Sequence, residues 1–161
     1  MSRNSLTVFY GPKQVTDNHT LNAIADAIDN RKDYRVTNSS MGGDTLVGTE
    51  KFAMVYYRLD ARNSPVIRGR VAAEGDTLKF GTDISKIEYA PPATTITNSG
   101  VYFTAYRKFI SNSPFTVNNN SMGGDINPGV PKHGTFTYYK NGGRVVSERA
   151  NEGHNIDWNS I

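Results

Sequence analysis

Apolar and polar positions change period several times along the first half of the chain, and each change predicts an element. Leu6-Thr7-Val8-Phe9-Tyr10 is β-branched and aromatic enough for a strand, and Gly11-Pro12 closes it. Leu21, Ile24, Ala25 and Ile28 then fall at i, i+3, i+4 and i+7, with Asp26, Asp29 and Asn30 on the other side. That spacing predicts one buried helical face. Asp17 or Asn18 supplies the short side-chain acceptor that satisfies free N–H groups at a helix start. Tyr34-Arg35-Val36 begins a strand that runs into an Asn/Ser/Gly loop. Alternation predicts strands over 52–58 and 65–73, and Glu74-Gly75-Asp76 turns the chain into another at 77–80.

The second half follows the same plan. Ile87-Glu88-Tyr89 reads as a strand stopped by Pro91-Pro92. Asn98 or Ser99 caps a helix whose apolar stripe is Tyr102, Phe103, Tyr106, Phe109 and Ile110. Phe115-Thr116-Val117 restarts a strand. Segments 135–140 and 144–150 flank Asn141-Gly142-Gly143, a hairpin signal because Asn and Gly accept positive φ. Residues 154–158 make a last strand.

The likeness of the halves extends to residue identity. Ser-Met-Gly-Gly-Asp occurs at Ser40 to Asp44 and again at Ser121 to Asp125, 81 positions later. At that offset Val36, Asn38, Gly48, Lys51 and Tyr57 recur as Val117, Asn119, Gly129, Lys132 and Tyr138. At an offset of 79, Tyr10 meets Tyr89, Val66-Ile67 meets Val145-Val146 and Arg70 meets Arg149. A register that holds on both sides of a short match is the mark of internal repetition. The predicted fold is α+β: two tandem pseudo-repeats of strand, helix and three or four antiparallel strands. They are expected to form a single pseudo-twofold domain over 1–161, with repeats at about 1–82 and 83–161.

Composition narrows this picture only slightly. The 161 residues carry a formal charge of +3, a sequence pI near 9.1 and a mean hydropathy of −0.54. That charge is short of a dedicated nucleic-acid binder. Arg68 and Arg70 share a strand face, which Arg149 would join in the second copy; a solvated face is the expectation. Cysteine is absent, so disulfides and thiolate metal sites are excluded. No stretch approaches a membrane span, and Met1 to Ser5 lack the apolar run of a secretory leader. A cytoplasmic protein, one released without a cleaved signal, or a mature chain lacking its leader all fit.

Catalytic signatures are missing. His19, His133 and His154 have no metal-ligand spacing, and no nucleophile elbow, phosphate loop or dinucleotide fingerprint occurs. Enzymatic chemistry, a metal and a cofactor are therefore not expected. The candidate ligand-binding residues are those of the repeated loop: Asn38, Met41, Gly42, Gly43 and Asp44, with Asn119, Met122, Gly123, Gly124 and Asp125. Paired glycines admit close approach of a ligand, Asn and Asp supply polar partners, and Met an adaptable apolar contact. A glycan or other polar small ligand suits that set. The competing expectation for the loop is a turn, with Met plugging the core. Val36, Asn38 and Met41-Gly42-Gly43, with their second-half counterparts, resemble the sugar-binding loops of the Oscillatoria agardhii agglutinin family. The order of elements looks like the tandem modules of GyrI-like small-molecule binders. It is also similar, after a circular shift, to the Whirly and PUR single-strand binders. That last likeness implies stacking by Tyr56, Tyr57, Tyr138 or Tyr139 beside sheet arginines. A self-assembling coat-like or fibre-like subunit, and hence a homo-oligomer, is the third expectation.

Overall fold

The computed structural model describes residues 5–59 and 65–158. Met1 to Asn4, read above for a leader, lie outside them. The described residues form two helices and twelve strands in four antiparallel sheets, an α+β chain. It divides into two compact units, Met1–Gly81 and Thr82–Ile161.

In the first unit, β1 (Leu6–Tyr10) turns back on the short β2 (Lys13–Gln14), and α1 (Asn18–Asp29) follows. Next come β3 (Tyr34–Arg35), β4 (Phe52–Tyr57), β5 (Arg68–Ala73) and β6 (Thr77–Leu78). The main sheet has the order β2-β1-β4-β5, while β3 pairs with β6. The Asp17 carboxylate accepts from the Thr20 amide at 3.1 Å and caps α1, a contact worth about 1 kcal/mol. Thr20, Ile24, Ala25, Ala27 and Ile28 are buried. The last four meet Val8, Tyr10, Ala53, Val55 and Tyr57 from the sheet in one core. Each fully buried aliphatic side chain there contributes about 1.5–3 kcal/mol.

The second unit is built from β7 (Asp83–Ala90), β8 (Thr94–Thr95), α2 (Ser99–Ile110), β9 (Phe115–Thr116), β10 (His133–Tyr139), β11 (Val146–Asn151) and β12 (Asn155–Ile156). Its main sheet runs β8-β7-β10-β11 and its small one pairs β9 with β12. Trp158 packs against Phe109, Phe136 and Tyr138 in its core, with ring centroids 5.0 to 5.8 Å apart.

Several sequence expectations need correction here. The buried stripe of α2 is Val101, Tyr102, Ala105 and Phe109, whereas Phe103 and Ile110 are exposed; aromatic size misled the reading of the face. Both Arg68 and Arg70 point to the buried side of β5 rather than to solvent. Arg70 stacks 5.7 Å from the Tyr57 ring and donates to the Gly69 and Lys79 carbonyls. Arg149 is exposed; in the two ladders Ala72 pairs with Ala53 and Ala150 with Gly134, an offset of 78 between these strands rather than 79. A slip of one residue reverses every side chain's face. Finally, Tyr138 and Tyr139 are both buried: Tyr138 keeps the inward face of Gly134 and Phe136, and Tyr139, the last residue of β10, is covered as well.

Candidate functional site

The repeated pentapeptide sits in the long loop between β3 and β4, and again between β9 and β10. Ser40 Oγ donates to the Arg35 carbonyl at 2.7 Å and accepts from the Thr37 amide at 2.9 Å. Ser121 does the same with Thr116 and Asn118, at 2.6 and 3.0 Å. Chain reversal is then closed by the Gly43 amide on the Asn38 carbonyl and by the Gly124 amide on that of Asn119, each at 2.7 Å. Gly42 and Gly43 have φ of +89° and +133°, and Gly123 and Gly124 have +92° and +139°, values that L side chains avoid. A Cβ on Gly42 would also stand 3.1 Å from Thr20 Oγ1 at the start of α1. Glycine is thus required by the backbone's own path.

Met41 and Met122 are each 2% exposed. Their thioethers fill the cores, so the expectation that methionine meets a ligand gives way to the competing one: the Met is a plug. The likeness to agglutinin loops, where that position faces sugar, loses its apolar contact for the same reason.

What the loop presents is organised around a buried lysine. Lys51 Nζ lies 2.8 Å from Asp44 Oδ1 and 3.0 Å from Glu74 Oε1, and donates to the carbonyls of Leu46 and Thr49 at 3.2 and 2.8 Å. Lys132 makes the same set with Asp125 (2.9 Å), Glu152 (3.5 Å), Asn127 (3.1 Å) and Val130 (2.7 Å). An ammonium has three protons, so four acceptors saturate it. Above each lysine stands a buried tyrosine ring, Tyr10 at 5.6 Å and Tyr89 at 6.0 Å. The Tyr10 hydroxyl shares its proton between Asn38 Oδ1 at 2.7 Å and Glu74 Oε1 at 2.8 Å. Tyr89 does so between Asn119 and Glu152, at 2.8 and 3.4 Å.

The electrostatics follow from this geometry. The lysines beside them hold the Asp44 and Asp125 carboxyls below their usual range. Glu74 is lowered first by the Tyr10 hydroxyl and then by Lys51. Hydrogen bonds to Asp44 and Asp125 raise the two ammonium groups. Burial, with a neighbouring glutamate, pushes both phenols up to about 12. At neutral pH the first cluster is therefore one ammonium, two carboxylates and a neutral phenol.

In the second unit the cluster forms one wall of an open cleft of about 530 Å³, bounded by Asn118, Asn119, Asp125, Val130, Lys132 and Glu152 among others. Asn119 and Asp125 thus meet at a cavity; in the first unit Asp44 joins Lys51 and Asn38 joins Tyr10, and Gly123 and Gly124 are exposed. The lysine–glutamate–tyrosine set went unrecognised from sequence, because Glu74 and Glu152 match only at the offset of 78. The surface for base stacking is reduced to Tyr56, the one exposed member of the four tyrosines. Among the described residues no cluster of three or more His, Asp or Glu side chains suits a metal, and no helix is long and apolar enough to cross a membrane.

No family model, curated protein sequence or solved structure matches this chain. The resemblances drawn above rest on element order and loop residues alone.

Proposed function

We propose that this protein is a lectin-like, non-enzymatic binding module with two equivalent clefts for a glycan or similar hydroxyl-rich ligand. The supporting observation is the cleft beside Asp125 and Glu152. Its volume lies within the 300–1,000 Å³ typical of small-molecule sites. Its lysine is saturated, so the polar groups left for a ligand are carboxylate oxygens and asparagine amides. Such a wall selects a neutral ligand that brings its own donors, as sugar hydroxyls do. Two clefts follow if the units are copies of one ancestral unit. Equal element order, equal sheet order and the same hydrogen bonds around the loop support that duplication.

The test is calorimetric titration with a panel of mannose, galactose, N-acetylglucosamine and their disaccharides. Pro131 lines the second cleft and Glu50 holds the corresponding place in the first. Both are exposed, so tryptophan there occludes the cleft without entering the core. Wild type takes two ligands per chain, Pro131→Trp or Glu50→Trp takes one, and the double variant none. Unchanged binding in the double variant, or no heat from any sugar, refutes the proposal.

A further inference from the structure

The two main sheets share one strand order but differ in the face turned away from their own helix. In the first unit that face is apolar. Met54 sits between Phe9 and Val71 across the sheet, with Phe52 and Tyr56 to either side along β4 and Ile67 just before β5. In the second unit the corresponding row is Thr135 between Glu88 and Arg149, flanked by His133 and Thr137. The architecture can plainly carry a polar outer face, so the apolar one is not a requirement of folding.

We propose that the outer face of β1, β4 and β5 is a self-association surface, where a second copy of this chain docks sheet to sheet. Val71 is 63% exposed, Phe52 56%, Ile67 48%, Tyr56 44% and Met54 36%. At about 150–250 Å² per aromatic side chain and somewhat less per aliphatic one, these fractions sum to roughly 450 Å² of apolar surface per copy. That is over half of the ~800 Å² per partner of a standard interface. No charged side chain occupies an outward position within β1, β4 or β5, and Arg58, just past β4, stands at the rim beside Tyr56 and Ile67, so like charges are kept out of the centre of the face. A twofold axis through Met54 would set each patch on itself, the self-complementary arrangement of most homodimers. Two twisted sheets stack face to face at about 10 Å with their inner side chains interleaved. A second copy has an equal apolar face.

The second unit supplies the test residues. Sedimentation velocity from about 1 µM to about 500 µM, spanning the affinities of ordinary homodimers, compares wild type with Phe52→His/Met54→Thr/Val71→Arg. Wild type sediments as a dimer in the upper range. The triple variant sediments as a monomer, its dissociation constant raised at least ~100-fold because three central contacts are lost on both sides, with an unchanged far-UV circular dichroism spectrum. Should the triple variant fail to fold, Val71→Arg alone at the most exposed position is read the same way. Because the chain lacks cysteine, Val71→Cys adds a single thiol. Oxidation then gives a covalent pair, whereas Ser147→Cys on the second unit's outer face does not. A wild type that stays monomeric throughout overturns the proposal and leaves the face to another partner. So does a variant that associates as wild type does, or equal crosslinking at both positions. None of these outcomes depends on sugar binding in the clefts.

Discussion

Met41 and Met122 show how a repeated residue can be kept for packing. Each lies on the core side of a loop whose glycines face solvent. Gly134 illustrates how closely Met122 fits: a Cβ there would come within 3.2 Å of Met122 Cε. In the first unit that place is Ala53, and the neighbouring Val55 is smaller than its counterpart Phe136, so volume is exchanged between adjacent core positions. Met41→Ala and Met122→Ala are each expected to cost about 2–5 kcal/mol, the range for truncating a large buried aliphatic or thioether side chain. Urea denaturation measures this. Any glycan affinity of the folded variants should be unchanged, in contrast to what an exposed methionine at the ligand would give.

At the scale of the element, the buried lysine ties three segments together: the β3–β4 loop through Asp44, the turn after β5 through Glu74, and the end of β1 through the Tyr10 ring. Lys51→Met removes the tie and leaves two carboxylates facing each other. Amide exchange at Gly43, Glu74 and Gly75 should accelerate, since their bonds to Asn38, Lys51 and Val36 close this junction. Exchange at the corresponding Gly124, Glu152 and Gly153 serves as the internal control and should stay as in wild type. The helices, their caps at Asp17 and Asn98, β1 and the two hairpin turns were legible in the sequence, because local periodicity and turn chemistry determine them. β2 and β8 were not, since Lys13-Gln14 and Thr94-Thr95 carry no large apolar side chain to mark a strand. The lysine cluster escaped for a different reason. Its members lie on segments whose offsets are 79, 81 and 78, and only the folded chain brings the three registers together. The face of β5 escaped where a one-residue shift reverses alternation, and Tyr139 departs from alternation only at the end of β10.

For the whole molecule, two such clusters define the pH range of stability. Asp44, Glu74 and Asp125 sit below their ordinary values of 3.8, 4.5 and 3.8. Their contribution is complete above those values and is lost as pH falls through the lowered ones, when the folded carboxylates take up protons. Lys51 and Lys132 are raised above 10.5, and Tyr10 and Tyr89 go from 10.0 to about 12. The tyrosine contribution is complete below pH 10 and is lost as pH rises through about 12, and that of the lysines is lost as pH rises through their raised values. Thermal midpoints should therefore be level from about pH 5 to pH 9 and decline on either side. In Lys51→Met the first unit's share of the acid decline should shrink, because Asp44 and Glu74 lose the cation that lowers them and their protonation then relieves the repulsion between them. A midpoint that varies steeply between pH 6 and 8 would contradict this account. The polar outer face of the second sheet has a further consequence. A subunit with one adhesive face has a valence of one, so pairing consumes its capacity and growth stops. Were Glu88, Thr135 and Arg149 apolar like Phe9, Met54 and Val71, each chain would have a valence of two, and every added copy would expose another free end. The charged row on the second sheet is what keeps association from becoming polymerisation.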